Sequence, residues 1–485
     1  MSRKLVLTTI LVSVLIGMLA LSFKVQVVNT SSTIFIRANG SVAPEGTSIS
    51  TIDNVTYIFT GNIFDEIVVE KDNIVVDGAG YTLQGTGNGC GLDLSFRSNV
   101  TIKNIEIKEF DFGIYFNHSV SNTITGNFLT AINFEGIRLY ESSNNNITGN
   151  NIAVNDWDAV TLYGSSDNKI AENNFTSNYD GIRLYESSNN SIVENIVANN
   201  YYGIFLAVSS NNSIIKNNVT ANNGNGISLV WSSNENRIVE NLIMVNNWHG
   251  MHLNKSSNNI IYHNNFMDNT QQIDTNNSVN VWDDGYPSGG NFWSNYTGVD
   301  LKSGSYQNET GSDGIGDTAY IIDANNTDNY PLMGMFSDFT VSVPTYPTEG
   351  FEDVCIISNS TVSNLGLCAW LSSPNEYLQP GQLFIDFSVT GDNNTAGFCR
   401  ITLPRRILNA TSYVVIVNWQ PVNVTTLPFS NSTHDYLYFT YNHSTQEVIL
   451  TVVEFPSTLI LPLFMIATLL AVIVYKRKHS KKLGY

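Results

Sequence analysis

The sequence predicts an all-β protein: a right-handed parallel β-helix, then a β-sandwich domain, then a C-terminal transmembrane helix. Three observations predict this fold. A repeat of 22–24 residues runs through the middle of the chain, each unit carries short apolar runs between polar turns, and apolar stretches lie near both termini. A unit this short cannot bury its own apolar face, so successive units must stack as the coils of a solenoid.

The repeat is marked by a small residue that begins a short apolar strand. Its successive spacings are 22, 23, 23, 22, 22, 23 and 24 residues. In segments such as GIRL and GISL apolar and polar residues alternate, which places Ile and Leu inside each coil and the polar residue outside. The marked positions are Gly91, Gly113, Gly136, Ala159, Gly181, Gly203, Gly226 and Gly250.

A second landmark is an asparagine that follows a short apolar run in each unit. Coils stack about 4.8 Å apart, so amides at the same corner of successive coils can hydrogen-bond to one another as a ladder. These asparagines are therefore predicted to be structural. The predicted ladder consists of Asn104, Asn127, Asn150, Asn173, Asn195, Asn217, Asn241 and Asn264.

Both ends of the chain carry membrane signals. Residues 1–27 combine Arg3 and Lys4 with an uncharged apolar run, which is typical of a signal peptide. Residues 458–475 are apolar throughout and long enough for a transmembrane helix. The basic tail at 476–485 is expected in the cytoplasm. The sequence thus predicts a single-pass protein of the cell membrane with an extracellular ectodomain.

The region between these signals divides into four parts. Residues 31–90 are predicted to form the N-terminal cap and first coils, and 91–270 the regular coils. Residues 271–336 lose the period and are rich in Gly, Asp and Asn, as expected of a C-terminal cap that covers the last apolar face. Alternating apolar runs return at 337–454, which indicates a β-sandwich.

The charge of the chain limits its partners. The formal net charge is −19, and only 13% of residues are charged. A nucleic-acid partner is excluded because its phosphates require a basic surface. A polar, acidic exterior is compatible with a glycan or another component of the cell envelope as the partner.

The regular coils, the DGAGYTLQG opening and the cap strings GYPSGGNFWSNYTGVDL and DGIGDTAYIIDANNTDNYPL resemble the NosD-like right-handed β-helix proteins of archaeal cell surfaces. The resemblance covers roughly residues 31–336. It implies a β-helix of the carbohydrate-binding and sugar-hydrolase type. It also implies one alternative function, that of a copper-handling accessory protein like the namesake of the family.

The main candidate site is a pair of columns just before the repeated small residue. Acids at equivalent positions lie about 4.8 Å apart, so they can recruit a cation such as calcium or raise one another's pKa. The aromatic rings beside them can stack on sugar rings, and two arginines can pair with the acids or grip a sugar carboxylate. The proposed carbohydrate-binding residues are Phe134, Glu135, Arg138, Trp157, Asp158, Tyr179, Asp180 and Arg183.

Two other interpretations of these columns stay open. In the first, the rings only pack against one another and the acids are solvated. In the second, Asp158 and Asp180 act as paired carboxylates of a polysaccharide hydrolase, lyase or epimerase. The coils contain no Asp-Pro-His-Glu-type epimerase string, and Arg138 and Arg183 are the only nearby cations. We therefore assign no catalytic residue and expect a non-enzymatic binding protein.

Two metal sites are considered. Cap aspartates alternate with Gly and Asn as in calcium-binding loops, although such strings also form ordinary turns; they are Asp313, Asp317, Asp323 and Asp328. Copper is disfavoured as a cofactor. His249, Met251 and His252 offer copper-type ligands, but residues three apart in an extended strand are expected to face opposite sides.

Overall fold

The computed structural model describes residues 33–343, 350–372, 378–393 and 395–452. Every helix or strand within these ranges is a β-strand, and none of the described residues forms a helix with the length and hydropathy needed to span a bilayer. The predicted signal peptide (1–27), membrane helix (458–475) and basic tail (476–485) lie outside the described residues.

Short strands from successive coils pair to form three long sheets, here called A, B and C. All pairings are parallel except for one antiparallel pair at the N-terminal end of sheet A and one at that of sheet B. Ile137, for example, pairs with Ile114 in one neighbouring coil and with Val160 in the other. This pattern confirms the predicted parallel β-helix.

Sheet A consists of Ile34–Ile36, Val42–Ala43, Ile67–Val69, Cys90–Asp93, Phe112–Asn117, Ile137–Tyr140, Val160–Tyr163, Asp180–Tyr185, Tyr202–Ala207, Ile227–Val230, His249–Asn254 and Gln271–Asn276. Sheet B consists of Ile49–Ser50, Thr56–Phe59, Val75–Asp77, Thr101–Lys103, Thr123–Thr125, Asn146–Thr148, Lys169–Ala171, Ser191–Val193, Ser213–Ile215, Arg237–Val239 and Ile260–Tyr262. Sheet C consists of Thr82–Gln84, Glu106–Lys108, Phe128–Thr130, Asn151–Ala153, Asn174–Thr176, Ile196–Ala198, Asn218–Thr220, Leu242–Met244, Asn265–Met267 and Phe292–Trp293.

One continuous apolar core fills the solenoid. A typical coil contributes Ile137 and Leu139 from sheet A, Ile147 from sheet B and Ile152 from sheet C, all inaccessible to solvent. Burying an aliphatic side chain stabilises a fold by roughly 1.5–3 kcal/mol. Because each coil buries these residues against the coils on either side, the stability of one coil depends on its neighbours.

The repeated glycine is required by the approach of neighbouring backbones. A Cβ atom on Gly136 would lie 2.7 Å from the carbonyl oxygen of Ala159, and one on Gly203 would lie 2.3 Å from that of Gly226. A Cβ atom on Gly181 would meet the core side chain of Val197. The glycine therefore faces the core, and so does the isoleucine that follows it.

Two consecutive inward positions break the alternation of the strand. In sheet A, Asp180 pairs with Tyr202 and Ile182 pairs with Ile204, while the glycine between them is skipped. The residue just before the glycine and the residue two positions after it therefore both face outward. We call these two residues the outer pair of a coil.

The structure places seven of the eight predicted ladder asparagines in a hydrogen-bonded ladder, from Asn127 to Asn264. Asn150 shows the pattern. Its backbone N–H and its Nδ2 both donate to Oδ1 of Asn173, at 2.9 and 3.0 Å, and Nδ2 also donates to the carbonyl of Ile124 at 2.9 Å. Each amide thus satisfies buried backbone groups as well as the next amide.

The ladder differs from the prediction at its two ends. Asn104 is exposed and donates to Asp77, and the ladder position in its coil is held by Ile105, whose N–H donates to Oδ1 of Asn127 at 3.1 Å. At the other end the ladder continues to Asn291. Because the length of the repeat varies by a residue from coil to coil, the spacing alone cannot decide whether residue 104 or residue 105 occupies the ladder position.

Three further ladders follow the other corners. In the SSNN-type turns, a serine ladder and an asparagine ladder run side by side with a spacing of three residues in most coils. The second asparagine ladder contains Asn122, Asn145, Asn168, Asn190, Asn212, Asn236, Asn259 and Asn280. The third contains Asn155, Asn178, Asn200, Asn222, Asn246 and Asn269.

The solenoid extends beyond residue 270, where regular coils were predicted to end. Gln271–Asn276 and Phe292–Trp293 are the last strands of sheets A and C. Two antiparallel hairpins follow, Lys302–Ser303 with Glu309–Thr310 and Tyr320–Ile321 with Thr327–Asp328. Trp282 and Trp293, each 1% exposed, close the core at this end.

A β-sandwich follows the cap. Its first sheet contains Met335–Val343, Gly350–Ser358, Ala396–Pro404, Val424–Thr426 and His434–Asn442. Its second contains Thr361–Ala369, Leu383–Thr390, Tyr413–Val417, Gln420–Val422 and Gln446–Val452. The two sheets share one apolar core.

The sandwich packs against the solenoid. Asn265 of sheet C exchanges two hydrogen bonds with the backbone of Phe336, at 2.9 and 2.8 Å. The buried guanidinium of Arg400 lies over the ring of Phe429 and donates to the carbonyl of Pro287 in the cap.

The ladder can be tested by substituting two adjacent asparagines. Asn150→Ala should lower the free energy of unfolding by roughly 1–3 kcal/mol for each buried donor that loses its acceptor. Asn151→Ala, at an exposed position, should change it by less than about 0.5 kcal/mol. Urea denaturation followed by circular dichroism measures both. Equal losses in the two variants would contradict a structural ladder.

Candidate functional site

The predicted acids and arginines lie on the outer face of sheet A. Asp180 and Arg183 form one outer pair, 2.6 Å apart. Glu135 and Arg138 form another, 3.7 Å apart. In each pair the side chains meet because the glycine between them breaks the alternation of the strand.

Arg183 joins the acids of two coils. Its Nε lies 2.8 Å from Oδ2 of Asp158, and its Nη2 lies 2.6 Å from Oδ2 of Asp180. Thr161, the outer-pair partner of Asp158, donates to the same Oδ2 at 2.9 Å. Sequence reasoning missed Thr161, although it occupies the position of Arg138 and Arg183 in its own coil.

The acids of this cluster are sheltered, not solvated. The side chains of Asp158 and Asp180 are 2% and 0% exposed. Burial raises the pKa of both, that of Asp180 well above its usual range and further through the charge of Asp158, while the Arg183 guanidinium opposes the shift. Burial also raises the pKa of Glu135. The side chains of Arg138 and Arg183 are 27% and 23% exposed, so the arginines are partly accessible to solvent while the acids are covered.

The aromatic residues form a continuous strip along the solenoid axis. Phe134, Trp157 and Tyr179 are 43%, 51% and 41% exposed, and ring centroids of neighbours are 6.5 and 6.0 Å apart. The rings thus both pack against one another and present their surfaces to solvent. The aromatic strip comprises Phe112, Phe134, Trp157, Tyr179, Tyr201 and Trp248.

The structure does not bring the cap aspartates together. Asp313 accepts from the hydroxyl of Tyr286, and Asp317 accepts from two backbone N–H groups. Asp323 accepts from the backbone N–H of Asn325, and the buried Asp328 from the indole of Trp293. Each carboxylate therefore accepts hydrogen bonds that hold the cap together, and those of Asp313, Asp317 and Asp328 link parts of the cap that are distant in sequence.

A different group of ligands does converge. His249 and His252 form an outer pair with ring centroids 5.9 Å apart, and Asp274 lies beside His252 in the next coil. The expectation that the two histidines face opposite sides was wrong, because Gly250 breaks the alternation between them. Met251 is fully buried in the core and His263 stacks on Phe336 elsewhere, so neither joins this group.

The stacked coils define a parallel β-helix protein. The chain belongs to the family described as the right handed beta helix region, which matches residues 24–178, 90–243 and 154–312, together more than half of the chain. Among curated protein sequences, none matches this chain.

Several solved structures are similar to parts of this chain. A mutant of the periplasmic alginate epimerase AlgG is 18% identical with a TM-score of 0.35, over 45% of this chain and 65% of that one. The pectate lyase Pel9A is 15% identical with a TM-score of 0.35, over 45% and 72%. The enzymatically active domain of tailspike protein 2 of bacteriophage CBA120 is 13% identical with a TM-score of 0.37, over 80% and 74%. This chain thus spans just under two thirds of the alginate epimerase.

The role of Arg183 can be tested through pH. Arg183→Met leaves two buried carboxyls without their cation and should cost about 3–5 kcal/mol of stability at pH 7. Because the folded pKa of Asp180 lies above its unfolded value, the folded state takes up protons more readily, and stability present at low pH is lost as pH rises through the folded pKa. Arg183 opposes this rise in pKa, so both acids should have a still higher pKa in the variant, and their protonation at pH 5 should stabilise the variant more than the wild type. The loss should therefore shrink at pH 5. Urea midpoints at both pH values measure it.

Arg138→Met is the matched control, since its guanidinium lies 3.7 Å from a single acid. Its cost should be smaller and depend less on pH. A cost for Arg183→Met that is the same at pH 5 and pH 7 would contradict this account of the buried acids.

Proposed function

We propose that this protein is a membrane-anchored extracellular β-helix that binds a neutral carbohydrate polymer along the aromatic strip of sheet A. The observation that carries the proposal is the strip itself: six rings in a row, several of them half exposed, follow the axis of a rigid solenoid. Pyranose rings have apolar faces that pack on aromatic rings. Successive coils repeat about every 4.8 Å, so a polymer lying along the axis can use several rings at once.

The charges beside the strip favour a neutral glycan over an acidic one. Arg183 is paired with two carboxylates and Arg138 with Glu135, so neither arginine offers an unpaired cation to a sugar carboxylate. At the N-terminal end of the same face, burial raises the pKa of Glu66, and the nearby charges of Asp93 and Asp111 raise it further. An acidic polysaccharide would be repelled along this face.

The same arrangement favours binding over sugar cleavage. A catalytic acid or nucleophile must touch the glycosidic bond. The carboxyl groups of Asp158 and Asp180 are almost inaccessible to solvent and are held by Arg183. In this proposal the acids orient Arg183 beside the strip.

The cellular setting of the proposal comes from the sequence. A signal peptide at 1–27, a membrane helix at 458–475 and a basic tail at 476–485 would place the solenoid and the sandwich outside the cell. The resemblance to NosD-like proteins of archaeal surfaces fits this location. The partner would then be a glycan of the cell envelope or of the surroundings.

The proposal predicts that Trp157 contributes directly to glycan binding. Trp157→Ala should weaken the binding of a neutral polysaccharide about tenfold, equivalent to ~1.4 kcal/mol. The reason is the loss of a central stacking surface. Trp231→Ala is the control, because this tryptophan is 56% exposed but lies outside the strip. Affinity electrophoresis in gels containing neutral or uronic-acid polysaccharides provides the measurement.

Two outcomes would contradict the proposal. Equal effects of Trp157→Ala and Trp231→Ala would remove the strip from the binding site. Release of sugar fragments that stops in Asp158→Asn would show that the acids are catalytic.

A further inference from the structure

A mixed group of nitrogen and oxygen ligands lies beyond the end of the aromatic strip, next to Trp248. One ligand atom each from His249, His252 and Asp274 lie within 4.8 Å of one another. In residues 33–343, 350–372, 378–393 and 395–452, this is the one group of three or more His, Cys, Asp or Glu residues with such convergence.

The fold itself brings these three residues together. His249 and His252 flank Gly250 and its inward neighbour, so both face outward as an outer pair. Asp274 is the direct partner of His252 in the parallel pairing with the last strand of sheet A. The three side chains are therefore positioned by rigid strands of two adjacent coils.

The ring of His249 is held in one tautomer by Asn225. The backbone N–H of His249 donates to Oδ1 of Asn225 at 3.3 Å, and Nδ2 of Asn225 donates to Ser228 at 3.1 Å. Oδ1 of Asn225 therefore faces Nδ1 of His249, at 2.8 Å. Because this oxygen can only accept, Nδ1 carries the hydrogen. The lone pair of this ring lies on Nε2 and is available to a metal ion.

The ring of His252 is held by the carboxylate of Asp274. Nδ1 of His252 lies 2.7 Å from Oδ2 of Asp274 and donates to it. A bound ion would replace the hydrogen on Nδ1, so that Nδ1 of His252 and Oδ2 of Asp274 would be neighbouring ligands of the ion. His249 already donates its second ring N–H to an amide oxygen, and such a hydrogen bond commonly orients ligating histidines in metal sites.

We propose that His249, His252 and Asp274 bind a divalent transition-metal ion of the zinc type. Two imidazoles and one carboxylate form a donor set that suits zinc, whereas calcium and magnesium prefer oxygen ligands alone. The side chains of His252 and Asp274 are 23% and 39% exposed, so a bound ion would keep a position open to water or to a hydroxyl group. This site does not depend on the proposed glycan binding, which needs no metal.

A second histidine–carboxylate pair on the surface provides a comparison with the three-residue group, because it lacks a third ligand. Nε2 of His118 lies 2.7 Å from a carboxylate oxygen of Glu141, a contact as short as that between His252 and Asp274. The pair belongs to no convergent group of three, and two ligands hold a metal ion far less tightly than three. His118 is therefore a matched control.

The test is a zinc titration of the full-length protein, purified without a polyhistidine tag and freed of metal with a chelator. Calorimetry should show one site in the wild type, and Co²⁺ should give visible absorption bands that Zn²⁺ abolishes. His249→Ala and Asp274→Asn should weaken zinc binding by at least about tenfold, while His118→Ala should bind as the wild type does. Copper(II) binds such donors more tightly in general, so zinc is the more selective probe.

Asp274→Asn keeps the shape of the side chain and an oxygen that can accept from His252, so its thermal melting in the absence of metal should match that of the wild type. That match separates a lost ligand from a lost fold. No zinc site in the wild type, or the same affinity in His249→Ala and Asp274→Asn as in the wild type, would overturn the proposal.

Discussion

The structure depends on hydrogen bonds that pass from each coil to the next at the corners of the solenoid. Asn150 and its counterparts supply both donors and acceptors, so a turn that would otherwise bury unpaired backbone groups is fully satisfied. Backbone groups without partners in a turn would each cost about 1–3 kcal/mol. The ladders thus hold corresponding corners of neighbouring coils in register, and the sheets between the corners follow.

The arrangement of outward-facing side chains on sheet A results from the alignment of successive coils. With the corners aligned, the glycine at the start of most of these strands meets the backbone of the next coil, where even a Cβ atom would lie closer than 3.0 Å. The two successive inward positions then force the residues on either side to the outside. The Asp180–Arg183 contact and the His249–His252 contact have this common origin.

Much of this architecture could be predicted because the repeat is visible in the letters of the sequence. The period, the inward isoleucines and seven of the ladder asparagines require only the spacing of residue types. The rest depends on local backbone geometry that the spacing does not contain. A strict alternation rule separates His249 from His252, and only the break in alternation at Gly250 brings them together. Likewise, burial of Asp180 beneath Arg183 follows from the positions of atoms in two coils.

The outer pair makes each coil a separate unit of surface chemistry. One coil carries Asp180 with Arg183, another carries Asn225 with Ser228, and a third carries two histidines, while the core and the corners hardly change between them. Substitutions at an outer pair alter what the face displays without disturbing the stacking that supports it. A solenoid of this kind can therefore acquire a new binding specificity one coil at a time, while its core and its corner ladders stay the same.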